Sequence, residues 1–171
     1  MPEKKSDEYS NIYQITLTES AASTLTFVEI NMGLTLFQKK AILINRIVID
    51  WGWGTIQALV AAADTVMAGL TASNQLASLA LRDSACIWKA QKGLMWRGTP
   101  ADGAIENVVD VYDFTGIPGG GEFVVPTPLF GAVACASVDT AQSITMRIYF
   151  QVVDLKPDEY FELLESRHFF G

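Results

Sequence analysis

The chain has 171 residues, the size of one domain with a single core, and 50% of them are hydrophobic against 18% charged. That is apolar for a soluble monomer, and with a mean hydropathy of +0.24 it points either to a core large for the chain or to apolar surface buried against other chains, and the second is expected. A net charge of −7 and an isoelectric point near 4.6 argue against a free-standing nucleic-acid binder, which carries a basic patch.

Residues 1–10 read as a polar N-terminal tail with no signal-peptide character. YQITLTES (13–20) and TLTFVEIN (24–31) alternate as strands do, with Ala-Ala-Ser between them. MGLTLFQKK (32–40) reads as a connection, and AILINRIVIDW (41–51) as the strongest strand of the first half, rich in β-branched residues. WGWGTIQ (51–57) is a turn broken by glycines. In ALVAAADTVMAGLTAS (58–73) the alanines favour helix and the second half favours strand, and a strand is expected over 65–72. NQLASLALRDSACIWKAQK (74–92) reads as part loop, with a short helix as the other option.

GLMWRG and AIENVVDVYDF (104–114) read as strands, as do EFVVP and LFGAVACASV within 122–138. QSITMRIYFQVVDL (142–155) is a clean strand, with Ile144, Met146, Ile148, Phe150 and Val152 on one face and Thr145, Arg147, Tyr149 and Gln151 on the other. KPDEYFELLESRH (156–168) is a helix pattern: Pro157 opens it, acids come first, Arg167 and His168 come last. Tyr160, Phe161, Leu163 and Leu164 form its apolar stripe, which is expected to dock on the sandwich or on a neighbour.

The expected fold is all-β: an antiparallel eight-stranded jelly-roll sandwich with a short C-terminal α-helix. It divides into the tail 1–10, one domain over 11–155, and the helix and tail 156–171. No apolar run reaches the roughly 18 residues that a membrane helix needs. The longest weakly polar stretch, Ile56 to Leu81, is broken by Asp64, Thr65, Gly69, Ser73 and Asn74. A soluble protein without a transmembrane segment is expected.

Chemical signals are sparse. GIPGGGEFVVPTPLFG (116–131) has three consecutive glycines but no Lys-Ser or Lys-Thr pair, and Glu122 follows at once, which repels phosphate. The lone histidine, His168, has no nucleophile motif beside it and reads as a helix-end residue. Asp110 and Asp113 stand at a spacing that sends them to opposite faces of a strand and read as solvated acids. That weakens glycosidase or calcium chemistry, and an intersubunit Ca2+ is not indicated. Trp51, Trp53, Trp88 and Trp96 read as core or interface residues rather than a sugar platform. Cys86 and Cys135 lack metal-ligand spacing and read as buried thiols, with pairing left open. No cofactor and no catalytic residue is assigned.

The order of segments is more specific. Ile117-Pro118-Gly119-Gly120-Gly121, then Pro126, Pro128, Leu129 and Phe130, then Arg147-Ile148-Tyr149-Phe150, then Glu159, Tyr160, Glu162 and Leu163 follow one another along the second half. This succession resembles the small single-jelly-roll capsid proteins of icosahedral viruses known from environmental sequence, and FVEINMGLTLFQKKAILINRIVID resembles their first half. The resemblance covers about two thirds of the chain and is weak over 52–105. It implies a coat protein that assembles with copies of itself into an icosahedral virion, made in the host cytoplasm, and no enzyme. Gly119, Gly120, Gly121, Pro126 and Pro128 would form a subunit-contact loop. The family's Arg-rich arm is missing, so genome binding through such an arm is not expected, and a second capsid protein or an internal membrane stays open. The alternative is a non-viral or accessory jelly-roll module: a carbohydrate-binding module, a spike or a compartment subunit. A cupin-type enzyme needs several metal-binding histidines, and the chain has one.

Overall fold

Residues with a period of two pair off into strands wherever one side of the period is β-branched or aromatic. The computed structural model of the chain describes residues 11–34, 40–52, 65–83, 85–93, 109–125, 128–136, 141–159 and 161–162. Among them are nine strands: β1 (Asn11–Thr18), β2 (Thr26–Ile30), β3 (Lys40–Asp50), β4 (Thr65–Thr71), β5 (Cys86–Gly93), β6 (Val109–Asp113), β7 (Glu122–Val124), β8 (Leu129–Ala136) and β9 (Ser143–Asp154). They form two antiparallel sheets. The first runs β1-β9-β3-β6, with β7 also paired to β3, and the second runs β2-β8-β4-β5.

The sheets face each other across a single apolar core. β9 supplies Ile144, Met146, Ile148 and Phe150, the face its alternation predicts. β4 and β8 supply Val66, Ala68, Leu70, Val133 and Cys135 from the opposite sheet. Each fully buried Val, Ile or Leu contributes roughly 1.5–3 kcal/mol to the collapse.

β3 changes parity midway. Ile42 and Ile44 point into the core before Asn45, and Ile47 and Ile49 after it. The register with β9 shifts between Ile44 and Arg46, so Asn45 is the extra residue of a β-bulge.

β5 departs from the sequence reading, which has loop or a short helix there. Its inward residues are Trp88, Ala90 and Lys92, partnered to Leu70, Ala68 and Val66, and the register shifts at Ile87, so Cys86, opposite Thr71, faces the other side. A lysine on the inward side spoils the alternation that marks a strand, and Lys89 and Lys92 mimic a helical polar face. The connection from β4 to β5 lies over the outer surface of the second sheet. Leu79 is buried there against Gly69, where an added Cβ would stand 3.1 Å from Leu79 Cδ2. Lys89 Nζ donates to the Leu79 carbonyl at 3.0 Å and holds the cover down.

At the C-terminal end, residues 157–159 and 161–162 are helical. The Lys156 amide donates to Glu159 Oε2 at 3.1 Å, half of a capping box at the helix start. Phe161 is 59% exposed. Tyr160, Leu163, Leu164, Arg167 and His168 lie outside the described residues. No helix among the described residues is long and apolar enough to cross a membrane.

Candidate functional site

The glycine stretch lies between two strands that share one partner. β6 pairs with Arg46–Asp50 of β3, and β7 pairs with Ile42–Ile44. Only Asn45 separates the two ladders, so residues 114–121 are an excursion from one continuous edge-strand path. The excursion is pinned at its base. The Phe114 amide donates to the Asn45 carbonyl at 2.8 Å, and Asn45 Nδ2 donates to the Gly120 carbonyl at 3.0 Å.

Within the excursion, Ile117 N bonds to Phe114 O at 3.1 Å and Gly120 N to Ile117 O at 2.9 Å. Asp113 Oδ1 accepts from the Thr115 amide at 2.9 Å and from its hydroxyl at 2.6 Å. These bonds, with the Arg46 guanidinium, hold the Asp113 carboxyl below the usual carboxylate range. Gly120 has φ +75°, the left-handed region, with open space around it. Gly121 is buried, and a Cβ there would stand 2.5 Å from the Ile44 carbonyl oxygen. Ile117, Pro118 and Gly119 are exposed, so the excursion is a braced turn that presents its tip.

The two prolines assigned to this loop do not join it in a described contact. Pro128 is exposed beside a cleft of about 180 Å³ that Ile30, Met32, Leu34 and Ile42 also line. Pro126 lies outside the described residues.

A second cluster clamps the open edges of the two sheets. Lys92 Nζ on β5 donates to both oxygens of Asp110 on β6, at 3.0 and 2.9 Å. The buried Trp51 donates from Nε1 to Asp110 Oδ2 at 2.8 Å. The ion pair is only 20% and 24% exposed, so Asp110 is not the solvated acid of the sequence reading. Next to it, Trp88 meets Tyr112 edge-on with ring centroids 5.0 Å apart, and Phe114 at 6.5 Å. Burial and the neighbouring Asp110 charge push the Tyr112 phenol up. Asp110 and Asp113 do point to opposite faces, and Asp113 pairs with Arg46 at 3.1 Å, so the two cannot share one ion.

Trp51 is core, and Trp88 packs against it in part. Gly52, with φ +38°, follows Trp51 just beyond the end of β3. Trp53 and Trp96 lie outside the described residues. Cys86 and Cys135 are both buried and free.

A third feature had no sequence signal. Glu19, buried after β1, accepts three backbone amides: Thr24 N at 3.1 Å and Cys135 N at 2.8 Å on Oε1, and Gln142 N at 3.0 Å on Oε2. One carboxylate thus ties the β1–β2 turn to β8 and to the residue before β9.

Among the described residues no three His, Cys, Asp or Glu side chains gather as metal ligands. Of the basic residues that could line a nucleic-acid surface, Lys40 pairs with Asp154 at 3.7 Å, Arg46 with Asp113 and Lys92 with Asp110. Lys89 is held by the Leu79 carbonyl. Lys39 and Arg97 lie outside the described residues. No protein-family model matches the chain, and no curated protein matches it.

Proposed function

We propose that this chain is a jelly-roll coat subunit that self-assembles through lateral contacts into an icosahedral shell around a viral genome. The pairing order carries the reading. With β6 and β7 counted as one strand interrupted by the glycine excursion, eight strands remain. The first pairs with the last, the second with the seventh, the third with the sixth and the fourth with the fifth. Such nested pairing is what two interleaved Greek keys rolled into a jelly roll produce.

A fold is shared by many functions, so the coat role rests also on the ordered motifs around Gly119–Gly121 and Arg147–Phe150. The excursion supports it mechanically: a fixed apolar tip on a sheet edge suits a place where subunits meet at a set angle. Four described basic residues are each engaged within the chain, three of them by acids. Protein contacts, rather than genome neutralisation, therefore drive assembly in this reading.

The test is to purify the chain free of nucleic acid and look by negative-stain electron microscopy and light scattering. Uniform closed particles are expected, with a yield that moderate salt leaves unchanged or raises by screening the net negative charge. A monomer at every concentration, salt and pH would overturn the self-assembling shell. Particles that form only on added nucleic acid and dissolve with salt would overturn the protein-driven mechanism.

A further inference from the structure

Strand register arranges the outer face of the first sheet in rows. Ile12, Tyr149, Arg46 and Asp113 form one row, and Gln14, Arg147, Val48 and Val111 the next. Thr16, Thr145, Asp50 and Val109 form the third. Of the six exposed large hydrophobic residues among the described ones, three lie on this face: Ile12 at 60%, Val109 at 51% and Val111 at 59% exposure. β6 reverses the usual strand pattern here. Its valines face out, while Asp110 and Tyr112 face in. Exposed valines on a strand whose inward positions carry an acid and a phenol are placed for a contact, not for the core.

The charges on the face are also placed for one. Arg46 is satisfied by Asp113 and lies over the Tyr149 ring at 5.9 Å. Arg147 bonds through Nε to the neutral Gln14 Oε1 at 2.7 Å and has no carboxylate partner among the described residues. Asp50 accepts the Gly52 amide on Oδ1 at 3.0 Å and has no cationic partner there. Both line one shallow cleft of about 120 Å³ with Val48, Val109 and Thr145. A cation and an anion side by side, neither in an ion pair, form a self-complementary pattern: a two-fold axis over the cleft matches each with its opposite.

We infer that a second copy of this chain docks on this face through an isologous contact, Arg147 of each copy meeting Asp50 of the other, with Val48, Val109 and Val111 packed between them. This deepens the shell reading and rests on it for the premise that copies associate. Four strands about 4.8 Å apart and some six residues of length offer on the order of 300 Å² per copy. That is below the roughly 800 Å² per partner of a stable dimer. The contact is weak alone and gains strength from the many contacts of a closed shell.

Sedimentation over a concentration series at low salt tests it, with particle yield read alongside. Asp50→Arg and Arg147→Asp should each weaken self-association at least about tenfold, because a two-fold contact doubles every like-charge clash. Mixing the two variants should restore association, since Arg147 then faces Asp50, and the introduced arginine faces the introduced aspartate. Val111→Glu removes no hydrogen bond and should weaken association as well, which covers the case that Asp50→Arg unfolds. Single variants that associate like the parent overturn this surface and leave the shell reading standing. A parent chain that stays monomeric overturns both. Single variants that fail together with a mixture that does not recover show another partner or occupant on the face and overturn the two-fold contact.

Discussion

Asn45 Nδ2 donates to the Gly120 carbonyl at 3.0 Å and so joins the bulge of the central strand β3 to the far end of the glycine excursion. The bond explains why the three glycines are not equivalent. Gly120 needs its left-handed φ, +75°, but has room for a side chain. Gly121 needs its missing Cβ, because the Ile44 carbonyl oxygen and Leu43 Cδ1 stand 2.5 and 2.8 Å from where it would be.

Gly120→Ala should therefore cost about 1–2 kcal/mol, the strain of a left-handed non-glycine residue. Gly121→Ala should cost more, because backbone of β3 has to move. Urea denaturation reads both. Equal losses would mean that the excursion is not pressed against β3. If the tip is a subunit contact, Gly120→Val should lower particle yield more than it lowers the melting temperature.

Glu19→Gln is the sharpest test of the loop end. The carboxylate accepts three amide protons with two oxygens. The amide has one acceptor oxygen, so at least one buried N–H loses its partner and faces a donor. The expected loss is about 1–3 kcal/mol, with the same fold by circular dichroism. A change within experimental error would mean that water replaces the carboxylate.

Much of the sandwich is legible in the sequence because β9 and β1 turn one clean side of a two-residue period inward, and β3 is rich in β-branched residues on both sides of its bulge. Asp110 and Lys92 are illegible for a single reason: each is a charged residue at an inward position, made tolerable by a partner on the other sheet. No local pattern encodes a partner 18 positions away. For the same reason β5 reads as loop or helix. Glu19 follows a clean strand in a turn-like TES segment, where an acid ordinarily signals solvent. The glycine excursion is visible as a turn, but its footing on Asn45 is not, because a bulge leaves no mark in composition.

The Lys92–Asp110 pair should show measurable coupling. Removing Asp110 strands a half-buried ammonium and the Trp51 N–H together, so Asp110→Ala should cost about 3 kcal/mol. Lys92→Met leaves the carboxylate with Trp51 alone and should cost less. The double variant Asp110→Leu with Lys92→Met should recover part of the loss, as apolar replacement of a buried pair often does. A double-mutant cycle in urea gives the coupling. Strictly additive costs would mean that the two residues act independently and do not clamp the sheet edges.

The cysteines set a pH dependence. Burial pushes the Cys86 thiol up, with Asp83 adding to the shift and Lys89 opposing it. Burial, the Glu19 charge and a hydrogen bond to Glu19 push Cys135 up much further. A raised folded-state pKa means that the fold holds the proton more tightly than the unfolded chain does. The stabilisation is complete below the unfolded thiol value, about 8.5, and is lost as pH rises above it. The urea midpoint should accordingly fall between neutral and strongly alkaline pH, and Cys135→Ala should flatten that fall more than Cys86→Ala. A thiol reagent at neutral pH should leave both cysteines unlabelled in the native protein and label both in denaturant. Fast native labelling of Cys135, or a slope that Cys135→Ala leaves unchanged, would mean that this thiol is neither shielded nor coupled to Glu19.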